Sequence, residues 1–461
     1  MKGFVPTPDQ TVDLMVEKLF RDRAPTAKSR VLDPGSGRGA FVDGILRYCT
    51  RRNLAVPTIV AVESDPVHVR ILRERFANVP RVNIRQADFL ASPPETFDYI
   101  IGNPPYVSIL GLSDDEKAFY RDRFTTAVGR FDLYILFFEK ALKSLERGGR
   151  LVFITPEKYL YVNTAMPLRR LLSTAGVSEL HFVGEDTFPD RVTYPLITVV
   201  DSARAISEFR VIDRNATERV VSRKLPGSSW LPIVRDAALP SEHPTLGDVA
   251  LRVSCGVATG ADSVFVVRNE AVPDQLRRFG YPTMSGREIV GRELPTSRST
   301  MLVPYARDGS LLPESLLGSF SEYLSEPDRR EKLLRRTCVR TKPWYAFHEN
   351  PPLSDILRPK LLCKDIGAEP VFVVDRSGCI VPRHSLYYIV PRDPAILGEL
   401  ADYLNSPIAK HWLRDHCQRA ANGFLRVQSH VLKRLPLPAS LHPTKDQLSL
   451  PNMARARLRT A

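Results

Sequence analysis

Asn103-Pro104-Pro105-Tyr106 is the segment of this 461-residue chain whose residue types point most directly to chemistry. Its two prolines stiffen the exit from the apolar run Tyr99-Ile100-Ile101 and donate no backbone hydrogen bond. The Asn103 amide oxygen and the Pro104 carbonyl can therefore both face a flat exocyclic amine as acceptors. Taking both amine protons pushes the nitrogen towards tetrahedral geometry and localises its lone pair for in-line attack. A sulfonium-bound methyl group is a strong enough electrophile to need no dedicated general base in that attack. Catalysis would then be positioning and electrostatic matching. Tyr106 offers an aromatic face on which a planar base can stack. A rigid turn alone would explain the prolines, but not the Asn before them or the Tyr after.

A second group of residues upstream suits a nucleoside. Asp33-Pro34-Gly35-Ser36-Gly37-Arg38-Gly39 follows a short apolar run, and closely spaced glycines let a backbone turn sharply against a ligand. Without Gly-Lys-Ser/Thr it is not an NTPase phosphate loop. Glu63 ends the next apolar run, where a carboxylate can accept from both ribose hydroxyls. Asp88-Phe89 ends the third, pairing an acceptor for an adenine amine with a stacking ring. Singly, Glu63 and Asp88 read as solvated loop acids. Their succession at three strand ends favours a nucleoside, though not yet which one.

The elements that must position these residues follow from the pattern around them. Apolar, β-branched runs at 31–32, 59–62, 82–84, 99–101, 151–154 and 196–200 read as strands. Residues 66–76 and 132–145 carry helical spacing. Strand–helix alternation of this kind predicts a doubly wound α/β sheet, with its ligand at the carboxyl ends of the strands. Between 201 and 245 the pattern loosens among prolines, as in a bridging segment. Beyond it the spacing predicts a mixed α+β region with strands at 264–267, 371–374 and 386–390 and one late helix over 395–412.

Charge divides unevenly between these parts. Of the net charge of +13, residues 1–200 carry +3, from 27 basic and 24 acidic residues, and the remainder +10, from 38 and 28. A polyanionic partner is one reason for such an excess, and solvation alone is another. The six cysteines form no Cys-x-x-Cys or Cys/His set, so neither a metal site nor a disulfide framework is expected. No apolar run approaches a bilayer span and no signal core opens the chain, which predicts a cytoplasmic protein without membrane contact.

With these motifs in this order, the chain resembles the gamma-group amino-methyltransferases of bacterial restriction–modification systems, the TaqI type. That family runs from an N-terminal Thr-Pro segment through a glycine-rich loop, an acid after strand two and Asp-Phe after strand three to Asn-Pro-Pro-Tyr. The matching segments are Phe4-Val5-Pro6-Thr7-Pro8, residues 33–39, Glu63-Ser64-Asp65-Pro66, Asp88-Phe89 and residues 103–106. The Asp33-Pro34-Gly35 opening departs from a loop that is more variable elsewhere. The resemblance implies S-adenosylmethionine as cofactor, with Thr7 at its methionine part. Asp33, Gly35, Gly37, Glu63, Ser64, Asp88, Phe89 and Asn103 would complete the cofactor site. It further implies a second aromatic wall for a flipped adenine. Phe188, in Thr187-Phe188-Pro189-Asp190-Arg191-Val192, matches that wall best, with Tyr194 the second choice.

The later chain is similar to the target-recognition domains of the same enzymes. The likeness rests on the stretch 251–260 leading to Phe265-Val266-Val267, then Lys342-Pro343-Trp344-Tyr345, Arg358-Pro359-Lys360-Leu361 and Tyr387-Tyr388-Ile389. It continues through Leu404-Asn405-Ser406 and the closing Leu432-Lys433-Arg434-Leu435-Pro436-Leu437-Pro438. Arg335, Arg336, Arg340 and Lys342 form a basic cluster beside Trp344, Tyr345 and Phe347 that could hold phosphates or be a solvated helix face.

The expected organisation is a Rossmann-like class I methyltransferase domain over 1–200, a bridge over 201–245, a DNA-recognition domain over 246–438 and a basic tail over 439–461. The expected activity is methylation of adenine N6 in double-stranded DNA, the base being rotated out between Tyr106 and Phe188. The expected state is a monomer, with any cognate restriction endonuclease acting separately. Asn-Pro-Pro-Tyr sites also methylate protein glutamine and RNA, rivals that the second domain opposes. Cytosine-N4 enzymes usually carry Ser where this chain has Asn103. A catalytically silent specificity subunit would not keep both halves of the site.

Overall fold

The computed structural model describes residues 5–184, 187–188, 194–203, 208–236, 244–420 and 423–441. The chain divides into two compact units, Met1–Asp236 and Ala237–Ala461.

The first unit is built on one nine-stranded sheet. Its strands are β1 (Arg30–Asp33), β2 (Thr58–Glu63), β3 (Val82–Gln86), β4 (Phe97–Gly102), β5 (Leu145–Pro156), β6 (Val177–Phe182), β7 (Pro195–Asp201), β8 (Phe209–Ile212) and β9 (Glu218–Val221). They lie in the order β3-β2-β1-β4-β5-β7-β6-β8-β9, with β1 to β5 parallel and β7 antiparallel between β5 and β6. The order reverses between β1 and β4, and in such sheets the crevice at that switch point holds the ligand.

Six helices cover the sheet: α1 (Asp9–Phe20), α2 (Ala40–Arg51), α3 (Pro66–Arg75), α4 (Asp114–Arg123), α5 (Leu133–Lys143) and α6 (Met166–Ala175). Strand alternation sends neighbouring residues to opposite faces. Val31, Ile59 and Ala61 pack with Val12 and Val16 of α1 and Phe41 and Ile45 of α2. Leu32, Val60 and Val62 pack instead with α5 and α6, through residues such as Ile135, Phe138 and Leu172. The doubly wound expectation holds, and the strands read from the apolar runs are β1 to β5 and β7.

Two features depart from the expected layout. Strand β6, Val-Ser-Glu-Leu-His-Phe, has too polar a sequence to read as a strand, yet all but His181 is buried. Its Glu179 is fully buried because Lys18, Arg21 (2.9 Å) and Arg210 (2.8 Å) pair with it. The second departure is at 201–245. Strands β8 and β9 belong to this stretch, so the sheet runs well past the expected bridge. Trp230 is also fully buried, 6.1 Å from the Tyr159 ring, which anchors the chain near the end of the unit.

The second unit holds three smaller sheets. One runs Ala250–Cys255, Leu386–Pro391, Lys360–Lys364 and Phe372–Asp375 in spatial order, and another runs Val266–Arg268, Ser299–Leu302, Gly280–Met284 and Val381–Pro382. The expected strand at 264–267 begins only at Val266, because Asp262–Phe265 forms a helical turn. The expected single late helix is two, Leu397–Leu404 and Pro407–His416. The break falls at Asn405-Ser406-Pro407. Asn405 spends its amide on the Phe372 backbone (3.0 and 2.8 Å), while Ser406 caps the next helix and Pro407 starts it.

Candidate active site

Strand ends and the turns after them place the candidate residues. The 33–39 loop turns from β1 into α2 through Gly37 (φ 53°) and Gly39 (φ 88°). A Cβ at Gly39 would stand 2.5 Å from the Phe76 ring, so both conformation and space demand glycine there. Glu63, ending β2, accepts from the Gly37 and Asp65 amides, each at 2.8 Å. Asp65 in turn caps α3 by accepting from the Val67 amide at 2.8 Å, with Pro66 at the first helical position. One carboxylate thus holds the glycine loop against the end of the second strand.

These elements surround a pocket of about 480 Å³ at the carboxyl edge of the sheet. Of the expected cofactor residues, Thr7, Gly35, Glu63, Ser64, Asp88, Phe89 and Asn103 all line it. Asp33 and Gly37 lie behind this lining and are buried. Phe4 falls outside the described residues.

The sequence reading missed part of the wall. Phe137 of α5 faces the pocket, its ring 5.4 Å from that of Phe89. Glu116 and Tyr120 of α4 close another side. Burial, with Asp88 and Glu116 adding to the effect, pushes the Tyr120 hydroxyl up to about 12, so it stays a neutral donor there. The adjacent aromatics Phe137-Phe138, on a helix soon after the Asn-Pro-Pro-Tyr turn, were the available signal.

Two polar groups bear on what the pocket accepts. The Asn103 side-chain nitrogen donates to the Val5 carbonyl and to Thr7 Oγ1, both at 3.1 Å. Its Oδ1 is buried and has no hydrogen-bond partner. The Asp33 carboxylate is fully buried, and burial pushes this acid up to about 7, with the nearby Glu63 charge adding to the rise and Ser36 and Gly35 opposing it. A buried acceptor left without a donor is costly, so Asn103 Oδ1 beside a buried acid suits a ligand that brings donors and positive charge. An aminoacyl-nucleoside such as S-adenosylmethionine brings an ammonium group, ribose hydroxyls and an adenine amine, and the residues present fit it.

Beside the pocket, the Tyr106 and Phe188 rings meet edge to face, with centroids 6.5 Å apart and planes at 90°. Phe188 is buried, whereas Tyr106 is half-buried and donates to the Ile154 carbonyl at 3.4 Å. Thr187 and Phe188 are the only described residues of the segment matched to the second aromatic wall. Tyr194, the second choice, packs instead under the Arg214 guanidinium (5.4 Å), which also pairs with the buried Glu157 at 2.7 Å. Pro104 is buried, and Pro105 is the proline that lines the pocket.

The four cations expected to hold phosphate separate into two kinds. Arg335 is exposed and pairs with Glu331, and Arg340 is exposed. Arg336, however, donates to the carbonyls of Thr259 (2.8 Å), Ala346 (2.8 Å), Leu333 (3.0 Å) and Trp344. Lys342 donates to the His348 carbonyl at 2.9 Å and to Asn350 Oδ1 at 3.1 Å. Both hold the loop around 344–350.

No helix among the described residues is long and apolar enough to cross a membrane. Residues 72–188 match the Eco57I restriction-modification methylase family, and residues 315–437 match the TaqI-like C-terminal specificity domain. Two relatives align nearly end to end. The type II methyltransferase M.PaeR7I of Pseudomonas aeruginosa is 26% identical over 95% of this chain and 86% of its own length. The type II methyltransferase M.XhoI of Xanthomonas vasicola is 26% identical over 95% and 91%. The type II methyltransferase M.TthHB8I of Thermus thermophilus is 34% identical over a shorter stretch, 41% of this chain and 42% of its own. With these matches in both units, the chain is a restriction–modification DNA methyltransferase that is similar to the TaqI type and takes S-adenosylmethionine as methyl donor.

Proposed function

We propose that the chain methylates the N6 amine of an adenine rotated out of double-stranded DNA. The observation that carries this reading is the orientation of Asn103. Its amide protons are spent on Val5 and Thr7, so Oδ1 is left as a buried acceptor. An amine presented there gives one proton to Oδ1 and the other to the Pro104 carbonyl. Two such bonds localise the nitrogen lone pair and hold it in line for attack, a stabilisation that grows as charge develops on the nitrogen. Bound S-adenosylmethionine supplies the electrophilic methyl group. Glu63 would hold the ribose, Asp88 the adenine amine and Phe89 its ring, while the Asp33 carboxylate, behind the lining, would act on the ammonium group through its charge. Tyr106 would stack on the extruded base, with Phe188 as the second wall. The chain acts as a monomer, and any cognate endonuclease is a separate protein.

The test uses duplex DNA methylated with tritiated cofactor, digested to nucleosides and separated. Label in N6-methyl-2′-deoxyadenosine supports the reading, and its loss in Asn103→Ala assigns the acceptor. Label in N4-methylcytosine instead would overturn the choice of base.

A further inference from the structure

The site just described leaves unexplained one exposed sheet face in the second unit. Strands Ile366–Gly367, Leu425–Arg426 and Gln418–Arg419 form a small antiparallel sheet with Leu425–Arg426 at its centre. In this register Arg426 stands directly opposite Ile366 on one side and Gln418 on the other. Directly opposed residues share a face, so the three side chains form one row across the sheet. Leu425 and Val427 are buried, whereas Ile366 is 41% exposed and Phe424 40%.

Such a row is unusual for a protein surface. Ile366 in the row and Phe424 beside it are large apolar side chains left partly exposed. Arg426 is 48% exposed, and its Nε stands 3.6 Å from Asp365 Oδ1, too far for a hydrogen bond. It contrasts with Arg336, whose guanidinium is tied to four carbonyls. Arginine, glutamine and an apolar side chain are also the chemistry that distinguishes base-pair edges. Arginine forks onto guanine O6 and N7, glutamine onto adenine N6 and N7, and an apolar carbon meets the thymine methyl. Antiparallel strands fit the width of the major groove. The whole face lies within the stretch matching a specificity domain, residues 315–437.

We propose that this face, with Arg426, Gln418, Ile366 and Phe424, reads base edges in the major groove and so sets which DNA word is methylated. The proposal rests on the DNA-methyltransferase reading above and goes beyond it by naming the reader.

The experiment uses the full-length protein and its Arg426→Ala, Arg426→Gln and Gln418→Ala variants, each expressed in a host lacking DNA methylation. Modified bases are then mapped by sequencing the host DNA. Loss of a bidentate base contact lowers methylation of the original word by roughly 10-fold to 100-fold and relaxes one position of it. Arg426→Gln should move the preference at that position. Melting temperature, cofactor binding and affinity for unrelated duplex should stay at wild-type values. Variants that mark the same word as efficiently as wild type would overturn the assignment. So would variants that lose affinity for all sequences alike, because that is the behaviour of a phosphate contact. A wild-type protein that marks no DNA would instead overturn the underlying methyltransferase reading.

Discussion

Asn103 Nδ2 and Thr7 Oγ1 stand 3.1 Å apart, joining the strand-exit motif to a segment 96 residues upstream. The N-terminal segment therefore fixes which end of the Asn103 amide faces the pocket. Thr7→Val removes one of the two bonds that hold this orientation. A neutral hydrogen bond contributes about 1 kcal/mol, so kcat should fall roughly 5-fold to 10-fold. Asn103→Ala should leave no measurable turnover. Single-turnover kinetics with saturating cofactor separates this from a binding effect, and an unchanged rate in Thr7→Val would show that the bond does not orient the amide.

Glu63 accepts from two loop amides and still has lone pairs to offer a ribose. Glu63→Ala should weaken cofactor binding about 10-fold or more, since hydrogen bonds to a charged acceptor contribute roughly 1.5–3 kcal/mol each. Glu63→Gln keeps an acceptor oxygen for the Gly37 amide and should lose less. Calorimetric dissociation constants should be larger for Ala than for Gln; equal values would mean that the retained acceptor oxygen is immaterial.

Asp33 gives the protein a pH dependence of defined sign. Its acid is raised from 3.8 to about 7 by burial. Between those values the folded state binds more protons than the unfolded one, so the ligand-free protein should lose stability as pH rises from about 4 to 7. An ammonium group beside the carboxylate favours its charged form, so cofactor affinity should rise as pH passes through about 7, with proton uptake by buffer. Asp33→Asn should flatten both trends. Melting curves and calorimetry in buffers of different ionisation heat measure them.

Arg336 and Arg335 are neighbours with opposite expected behaviour. Arg336→Ala strands four backbone carbonyls. At about 1 kcal/mol each, partly recovered by water, the Tm should fall by roughly 5–10 °C. Arg335→Ala should leave Tm unchanged, since an exposed pair with Glu331 contributes little. Equal melting temperatures for the two variants would sink this distinction.

The chemical half of the molecule was legible because its signals are local. Strand runs, glycines with forced dihedrals and acids at strand ends are set by neighbours in sequence. β6 was not legible, because Glu179 makes sense as a buried residue only once Lys18, Arg21 and Arg210 are brought to it from other elements. Phe137 and Tyr120 were missed for a related reason: which face of a helix meets a pocket is decided by tertiary packing. The basic run at 335–342 was only partly legible. A guanidinium buried against carbonyls and one facing solvent look identical in sequence, and Arg336 is the former.

The added strands β8 and β9 and the buried Trp230 bear on how such enzymes could trade specificities by recombination. A crossover near residue 200 would strip β8 from the edge of β6. It would also remove Arg214 from buried Glu157, and leave buried Glu179 with Lys18 and Arg21 but not Arg210. It would empty the slot that Trp230 fills against Tyr159. A crossover after Asp236 keeps every one of these contacts within the donor of the first unit. Productive exchange of reader modules among relatives should therefore have its seam at that later point, and hybrids joined at the earlier one should misfold however well matched their readers are.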